Sequence, residues 1–360
     1  MSRTTRAHVL IAAFGAWVAL GASSAMREQP VAPAFLTSTF GLTKADFDRL
    51  DAGQVITRTF GPSDKREVAT LGVVRIKMTP EFYVERLDDI VSFKKDGGDE
   101  AVLQIGAFST PPAVADMAAM TLDETDVRNL RRCRVGSCGL QLSAAGITKF
   151  QEEIDWRRPD AHQLAEHLLR RTLVDYVAAY MKSGTAASME YADEPERMNV
   201  GREFVALMGP DVPGWKSFPA LRQHLLDYPA SDAPATTDRL YWSKEKVRRT
   251  VVSVTHLAIM RTAGDTPAEY AIASRQIYGT HYFDASLGLT LLVRDRLATS
   301  PVTYLVYLNR SRVDVFSGFF GGMTRHIVTG KARGTVSDLL ARLQRTLERQ
   351  FAQRKAAPPR

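Results

Sequence analysis

The sequence lacks the short motifs that identify the common enzyme classes. It contains no Gly-x-Ser-x-Gly nucleophile elbow, no phosphate-binding Gly-x-x-x-x-Gly-Lys-Ser/Thr loop and no Gly-x-Gly-x-x-Gly after a strand. Ser243 and Lys246 have the Ser-x-x-Lys spacing, but the Lys-Thr-Gly box of penicillin-recognising enzymes is missing. His162 and His167 are one residue off the spacing of a zinc-binding helix. The sequence therefore predicts no metal or cofactor and favours no enzyme class.

A concentrated block of one charge is also missing. The 47 Lys and Arg residues are interspersed with 40 Asp and Glu residues, except in the short tail 354–360. Nucleic-acid-binding proteins concentrate basic residues in a stripe, so we expect no nucleic-acid partner. A weakly basic surface would permit transient contact with anionic lipid headgroups, although an ordinary solvated surface explains the same charge.

No apolar run is long enough to span a bilayer. The run nearest the start, Val9–Ala22, falls short of the roughly 20 residues required. Arg3 and Arg6 precede it, and Ser23 and Ala25 are small residues at −3 and −1 of a cut after Ala25. This layout is typical of a cleavable signal peptide, with an uncleaved anchor as the alternative. We therefore expect residues 1–25 to be removed and the protein to be periplasmic or secreted.

Cysteine is scarce, with only Cys133 and Cys138 in the chain. Their spacing is not the Cys-x-x-Cys of redox or haem-attachment motifs. Two cysteines this close in an exported protein favour a structural disulfide, with redox chemistry as the alternative.

The hydrophobic content of 45% is enough for a sizeable core. Apolar residues at three- and four-residue steps predict a helical middle section at about 144–227. Alternation of period two predicts four later strands. Helices are predicted at 43–50 and from Pro80 to about Phe93, and strands at 67–77, 101–108, 250–261, 269–278, 281–294 and 302–309.

The chain ends in a predicted amphipathic helix, Thr335–Phe351, whose apolar stripe includes Leu343 and Leu347. Residues 353–360 are predicted to be a disordered tail. The fold class predicted is α+β, a curved antiparallel sheet gripping a long C-terminal helix, with the helical middle section in a single domain of residues 26–352.

This order of elements resembles the helix-grip arrangement of the START-like (steroidogenic-acute-regulatory-related) and polyketide-cyclase superfamily. The matching pieces are residues 72–77 running into Thr79-Pro80-Glu81, and the meander and helix from His256 to Phe351, about half of the mature chain. The long helical section departs from a minimal member. The resemblance implies a cavity for a lipid, sterol, quinone or polyketide beneath the last helix, and a minority of members are enzymes.

Several residues are candidates to contact such a ligand. His256 is in phase with two valines, which predicts an interior imidazole that needs a hydrogen-bond partner. Tyr278, His281 and Tyr282 form the densest aromatic and polar cluster, either a pocket mouth or ordinary cross-strand pairs.

Two arginines and two leucines complete the candidates. Arg310 and Arg312 share a strand face and could hold a phosphate or carboxylate, unless Asp314 or Glu269 neutralises them. Leu343 and Leu347 would wall the cavity or fill a solid core.

Three functional hypotheses follow. The first is an exported protein that binds or carries a hydrophobic small molecule, such as a lipid, in an internal cavity. The second is an enzyme of the same fold that uses His256, His281 and Asp284 as acid–base groups. The third is an envelope structural or adaptor protein that works through the helical section, which a large exposed apolar patch on those helices would support.

Overall fold

The computed structural model describes residues 32–60, 64, 66–96, 101–209, 214–231, 233, 235–246, 249–262, 266–313 and 321–356, with the backbone alone at 321–329. The predicted signal peptide and the last four residues of the predicted tail lie outside this part of the chain.

The described residues form ten α-helices and ten strands. The helices are α1 Ala32–Phe40, α2 Lys44–Asp51, α3 Pro80–Asp88, α4 Ile90–Asp96, α5 Glu124–Arg132, α6 Ala144–Glu153, α7 Ala161–Ser183, α8 Val200–Leu207, α9 Pro219–Asp227 and α10 Gly321–Ala356. The strands are β1 Ile56–Phe60, β2 Glu67–Ile76, β3 Val102–Ala107, β4 Glu190–Tyr191, β5 Met198–Asn199, β6 Thr236–Lys246, β7 Thr250–Arg261, β8 Ala268–Gly279, β9 Phe283–Arg294 and β10 Thr303–Val313.

Eight strands build one curved antiparallel sheet in the order β1-β2-β10-β9-β8-β7-β6-β3. Strands β6 to β10 form a meander, and β2 returns from early in the chain to pair with β10. Together with the long final helix and the helical middle section, this confirms the predicted α+β fold class.

One face of the sheet, called the α10 face below, is covered by α3, α4 and α10. Thr79 caps α3 by accepting a hydrogen bond from the Phe82 amide, and Pro80 occupies the first turn. The α10 side chains at this face are buried with residues of β2 and β10. Helix α10 lies chiefly over β2 and β1, at one side of the sheet rather than over its centre. The buried α10 residues are Val336, Leu340, Leu343 and Leu347.

Glycine makes the close approach of α10 to β2 possible. A Cβ on Gly72 would lie 2.4 Å from Leu340 Cδ1 and 2.7 Å from Val336 Cγ1, both too short for real contacts. The helix therefore rests directly on the β2 backbone at this point.

The opposite face of the sheet is covered by the other helices. Helices α1, α8 and α9 contribute to one hydrophobic cluster, and α5, α6 and α7 contribute to a second. Because both faces are covered, the central strands are buried on both sides. The disulfide between Cys133 and Cys138 closes a loop after α5, as predicted, and is compatible with an oxidising compartment.

Three features of the fold differ most from the sequence prediction. The first is strand β6, which was not predicted; its charged residues obscure the alternation of the strand. The second is the helix after Pro80, which breaks at Asp89 into α3 and α4. The third is the final helix, which starts at Gly321 rather than Thr335 and continues to Ala356, into the predicted tail. Gly330 and Gly334 both lie within α10 with open space around them.

None of the helices in the described residues combines the length and hydropathy that crossing a bilayer requires.

Candidate functional site

A cavity of about 260 Å³ lies between the centre of the sheet and the helices of the α10 face. It is partly open to solvent. It forms where α10 and the α3–α4 pair leave the middle strands uncovered between them. Strands β6 to β10 supply its floor, and α3, α4 and α10 supply its roof.

The floor of the cavity is rich in hydroxyl and amide groups. Because side chains alternate along a strand, one polar residue in every two on neighbouring strands produces a continuous polar surface. Several of these groups bond to one another, including Ser243 to Ser253 at 3.2 Å and Asn309 to Ser286 at 3.3 Å. The polar floor residues are Ser243, Ser253, Thr255, Ser274, Gln276, Ser286, Thr290 and Asn309.

The roof of the cavity is apolar and aromatic. Two residues of α3, two of α4 and three of α10 form it. Because their side chains are apolar or aromatic, a ligand would contact mainly hydrocarbon on this side. Burial raises the pKa of the Tyr83 hydroxyl, which keeps this group neutral. The apolar roof residues are Tyr83, Leu87, Ile90, Phe93, Leu339, Leu340 and Leu343.

A glycine keeps the floor of the cavity open. Gly288 lies in β9, and a Cβ there would lie 2.6 Å from Ser274 Oγ and 3.4 Å from the Tyr307 ring. The absence of a side chain leaves room above β9 for a bound molecule.

One ion pair lies at the edge of the cavity. Lys94 Nζ of α4 is 3.4 Å from Glu245 Oε1 of β6, and Ser243 donates a hydrogen bond to the same carboxylate. The positive charge of Lys94 lowers the pKa of Glu245, so this carboxylate is charged at neutral pH. A polar end of a ligand would therefore find both signs of charge here.

Of the sequence-predicted ligand residues, Leu343 lines the cavity. Leu347 lies one turn further along α10 and packs into the same hydrophobic cluster without reaching the cavity. The other candidates lie elsewhere.

His256 and Tyr278 point to the opposite face of the sheet. His256 is completely buried, as its phase with the valines indicated, and its Nδ1 is 2.8 Å from the Tyr180 hydroxyl. Tyr278 is buried beside Tyr191, with ring centroids 6.1 Å apart.

The turn between β8 and β9 carries the other two residues of the aromatic cluster. His281 Nε2 bonds to Asp126 of α5 at 3.1 Å, and both side chains are buried. Tyr282 adopts a left-handed backbone with φ of 71°. The two histidines have separate partners, since His256 contacts Tyr180 and His281 contacts Asp126, and Asp284 lies 3.9 Å from Arg66.

Arg310 and Arg312 share one face of β10, but acidic residues neutralise both. Arg310 Nε is 2.5 Å from Glu67, and a second nitrogen donates to the Leu207 carbonyl. Arg312 contacts Glu203 at 2.5 Å and Asp64 at 2.6 Å. Glu269, considered above, pairs with Arg294, and Asp314 lies outside the described residues.

A second cluster of polar groups lies on the opposite face. His224 of α9 and His256 of β7 each place Nε2 2.8 Å from Oδ1 of Asp238 in β6. Both imidazoles are almost fully buried, whereas the Asp238 side chain is 25% exposed. The three ligand atoms lie within 4.8 Å of one another, an arrangement that could hold a metal ion.

This cluster makes the stability of the metal-free protein pH-dependent. Burial raises the pKa of Asp238, but the hydrogen bonds from the two histidines outweigh it and lower the pKa to about 2. Burial also lowers the pKa of His256. Because both pKa values lie below the ordinary ones, the unfolded chain binds protons at these two groups more readily than the folded protein does. The folded protein is therefore more stable at neutral pH and loses this stability on acidification. The loss begins below pH 6.5 for His256 and lies between about 3.8 and 2 for Asp238.

We expect the difference in unfolding free energy between the wild type and Asp238→Asn to narrow by about 1 to 2 kcal/mol from pH 5 to pH 2. Urea denaturation at each pH, with metal chelated, measures this. The control is Asp227→Asn, a change at an exposed residue outside the cluster. If the difference in unfolding free energy between the wild type and Asp238→Asn stays constant across this pH range, the lowered pKa of Asp238 is contradicted.

Sequence reasoning missed the polar floor, His224 and Asp238. The floor has a signal, because Ser253, Thr255, Ser274 and Gln276 occupy alternate positions of predicted strands. Asp238 lies in the strand that was not predicted, and His224 meets it only through the packing of α9 on the sheet.

Compared with models of known protein families and with curated proteins, the chain finds no match.

Proposed function

We propose that the protein binds a small amphiphilic molecule in the cavity beneath α10. The observation that carries this proposal is that hydroxyl and amide groups predominate on the floor, which also holds Leu257, Ile272 and Leu305, whereas the roof is apolar apart from Lys94. A purely apolar ligand would displace water from the hydroxyl groups of the floor without replacing its hydrogen bonds. A fully polar ligand would place polar groups against the hydrocarbon of the roof. A molecule with one polar side or end satisfies both surfaces.

The size of the cavity limits the occupant. Its volume of about 260 Å³ lies just below the roughly 300–1,000 Å³ of pockets for drug-sized ligands. A single-chain or ring-shaped amphiphile fits this space, with its polar end near Lys94 and Glu245. A two-chain phospholipid does not fit while α10 stays in place.

Export and the helix-grip resemblance belong to the same proposal. The disulfide supports a protein of an oxidising compartment, in which a carrier or sensor of amphiphiles would meet its ligand. A long final helix beside a curved sheet, with space between them, supports the resemblance to the START-like superfamily.

A fluorescence titration with 1-anilinonaphthalene-8-sulfonate tests the proposal. This probe combines an aromatic body with one sulfonate and brightens in apolar surroundings. We expect saturable binding of one probe per chain in the micromolar range, with displacement by dodecanoate and none by a two-chain phosphatidylcholine. Binding that does not saturate, or that dodecanoate leaves unchanged, would contradict the proposal.

The adaptor hypothesis finds little support in the described residues. The large apolar side chains exposed there are few, and only one, Val205, belongs to the helices of the middle section. The others are Leu103, Val135 and Leu297. An isolated exposed valine is ordinary for a soluble surface and does not constitute a docking patch.

A further inference from the structure

A cleft of about 330 Å³, partly open to solvent, is lined by Asp238 of the cluster of His224, Asp238 and His256. Tyr228 also lines the cleft, and the two buried histidines contact Asp238 without lining the cleft themselves. Three carboxylates, Asp88, Asp89 and Asp238, line the cleft against one guanidinium, Arg239. The net negative lining attracts cations and gives them a path to the cluster.

The ligand set suits a divalent transition metal. Two imidazoles and one carboxylate are typical donors for zinc, which takes four ligands in a tetrahedron. At metal–ligand distances near 2.1 Å, neighbouring donor atoms lie about 3.4 Å apart. The Nε2–Oδ1 separations of 2.8 Å are within about 0.6 Å of that spacing, which small rotations of the three side chains supply.

The surroundings of the two histidines can accommodate the change of tautomer that metal binding needs. In the metal-free protein both Nε2–H groups donate to Asp238 Oδ1, and the Tyr180 hydroxyl donates to His256 Nδ1. A metal ion on Nε2 moves the proton to Nδ1, and Tyr180 can accept from it, because a hydroxyl both donates and accepts. His224 Nδ1 makes no hydrogen bond in the described structure, so its protonation breaks none.

We propose that His224, Asp238 and His256 bind one divalent transition-metal ion, with zinc the best fit, and leave a fourth coordination position open towards the cleft. The site is separate from the amphiphile cavity, because its histidines and aspartate face the other side of the sheet. A three-ligand zinc ion with an open position can take a water molecule or an anionic group that enters the cleft.

Equilibrium dialysis of the chelator-stripped full chain against Zn²⁺, with metal analysis, tests this. We expect one ion per chain in the wild type. Asp238→Asn, which keeps the shape of the side chain, should weaken zinc binding at least 100-fold. Tyr180→Phe, which removes only the outer hydrogen bond, should weaken it roughly 10- to 100-fold. The exposed changes His167→Gln and Asp227→Asn are matched controls and should bind zinc like the wild type.

Cobalt provides a readout that does not depend on any variant folding. We expect the wild type with one equivalent of Co²⁺ to show the intense visible absorption of four-coordinate cobalt, and one equivalent of Zn²⁺ to abolish it. Absence of zinc binding by the wild type at micromolar concentration would overturn the proposal. So would zinc binding by folded Asp238→Asn equal to that of the wild type, or a weak six-coordinate cobalt spectrum. The affinity for the anilinonaphthalene probe should be the same with and without Zn²⁺. The metal-site proposal and the amphiphile proposal can therefore fail independently of each other.

Discussion

Replacing Leu343 with tryptophan should lower the affinity for the anilinonaphthalene probe at least tenfold while the protein stays folded. Leu343 lies on α10 and lines the cavity opposite the polar floor. An indole at this position projects into the empty space and occupies the volume that the ligand needs. The strain of the larger side chain costs about 1–3 kcal/mol of stability, which a domain with this much buried apolar surface tolerates. Fluorescence titration measures the affinity, and circular dichroism and thermal unfolding confirm the fold.

The matched control for Leu343→Trp is Arg345→Trp, which adds the same indole to the solvent side of α10. It should bind the probe like the wild type. If folded Leu343→Trp retains wild-type affinity, the probe does not bind beneath α10 and the ligand proposal fails.

Replacing Gly72 with alanine should destabilise the protein by about 1–3 kcal/mol and loosen α10. The added methyl group would lie 2.4 Å from Leu340 Cδ1 and 2.7 Å from Val336 Cγ1, so α10 has to move away from β2. Urea denaturation measures the free energy of unfolding. Hydrogen exchange should be faster in the variant than in the wild type, and the increase should be larger along α10 than in β7 to β9. The reason is that the close contact that Gly72 allows holds the helix to the sheet.

Gly334→Ala makes the same chemical change but should have the opposite effect on stability. Gly334 lies within α10, and a Cβ there meets nothing within 4 Å. Alanine has the higher helix propensity, so this variant should be more stable by roughly 0.5–1 kcal/mol. Equal effects of the two substitutions would contradict the close packing of α10 on β2.

The sequence allowed the architecture to be predicted where local pattern and burial agree. Strand β7 begins and ends at the predicted residues 250 and 261, because its alternation is clear. Strand β6 was missed because Leu240, Tyr241 and Trp242 form a continuous apolar run between charged residues. In a sheet covered on both faces such a run is ordinary for a strand, since Tyr241 packs on the α10 face and Trp242 on the other.

The candidate sites were harder to predict because they depend on register and tertiary packing. The apolar stripe of α10 correctly indicated a buried helix with Leu343 on its inner side. The polar character of the floor becomes visible only when the strands are paired, as when Ser243 comes opposite Ser253. His256 was predicted to be interior, but its partners Tyr180 and Asp238 are distant in sequence, and only the packed fold brings them together.

A crystal structure of the protein with the anilinonaphthalene probe bound tests most directly whether the space under α10 is a binding site. We expect density for one probe with its aromatic body against Leu340 and Leu343 and its sulfonate towards Lys94. Water alone in that space, with the probe located elsewhere on the protein, would contradict the account.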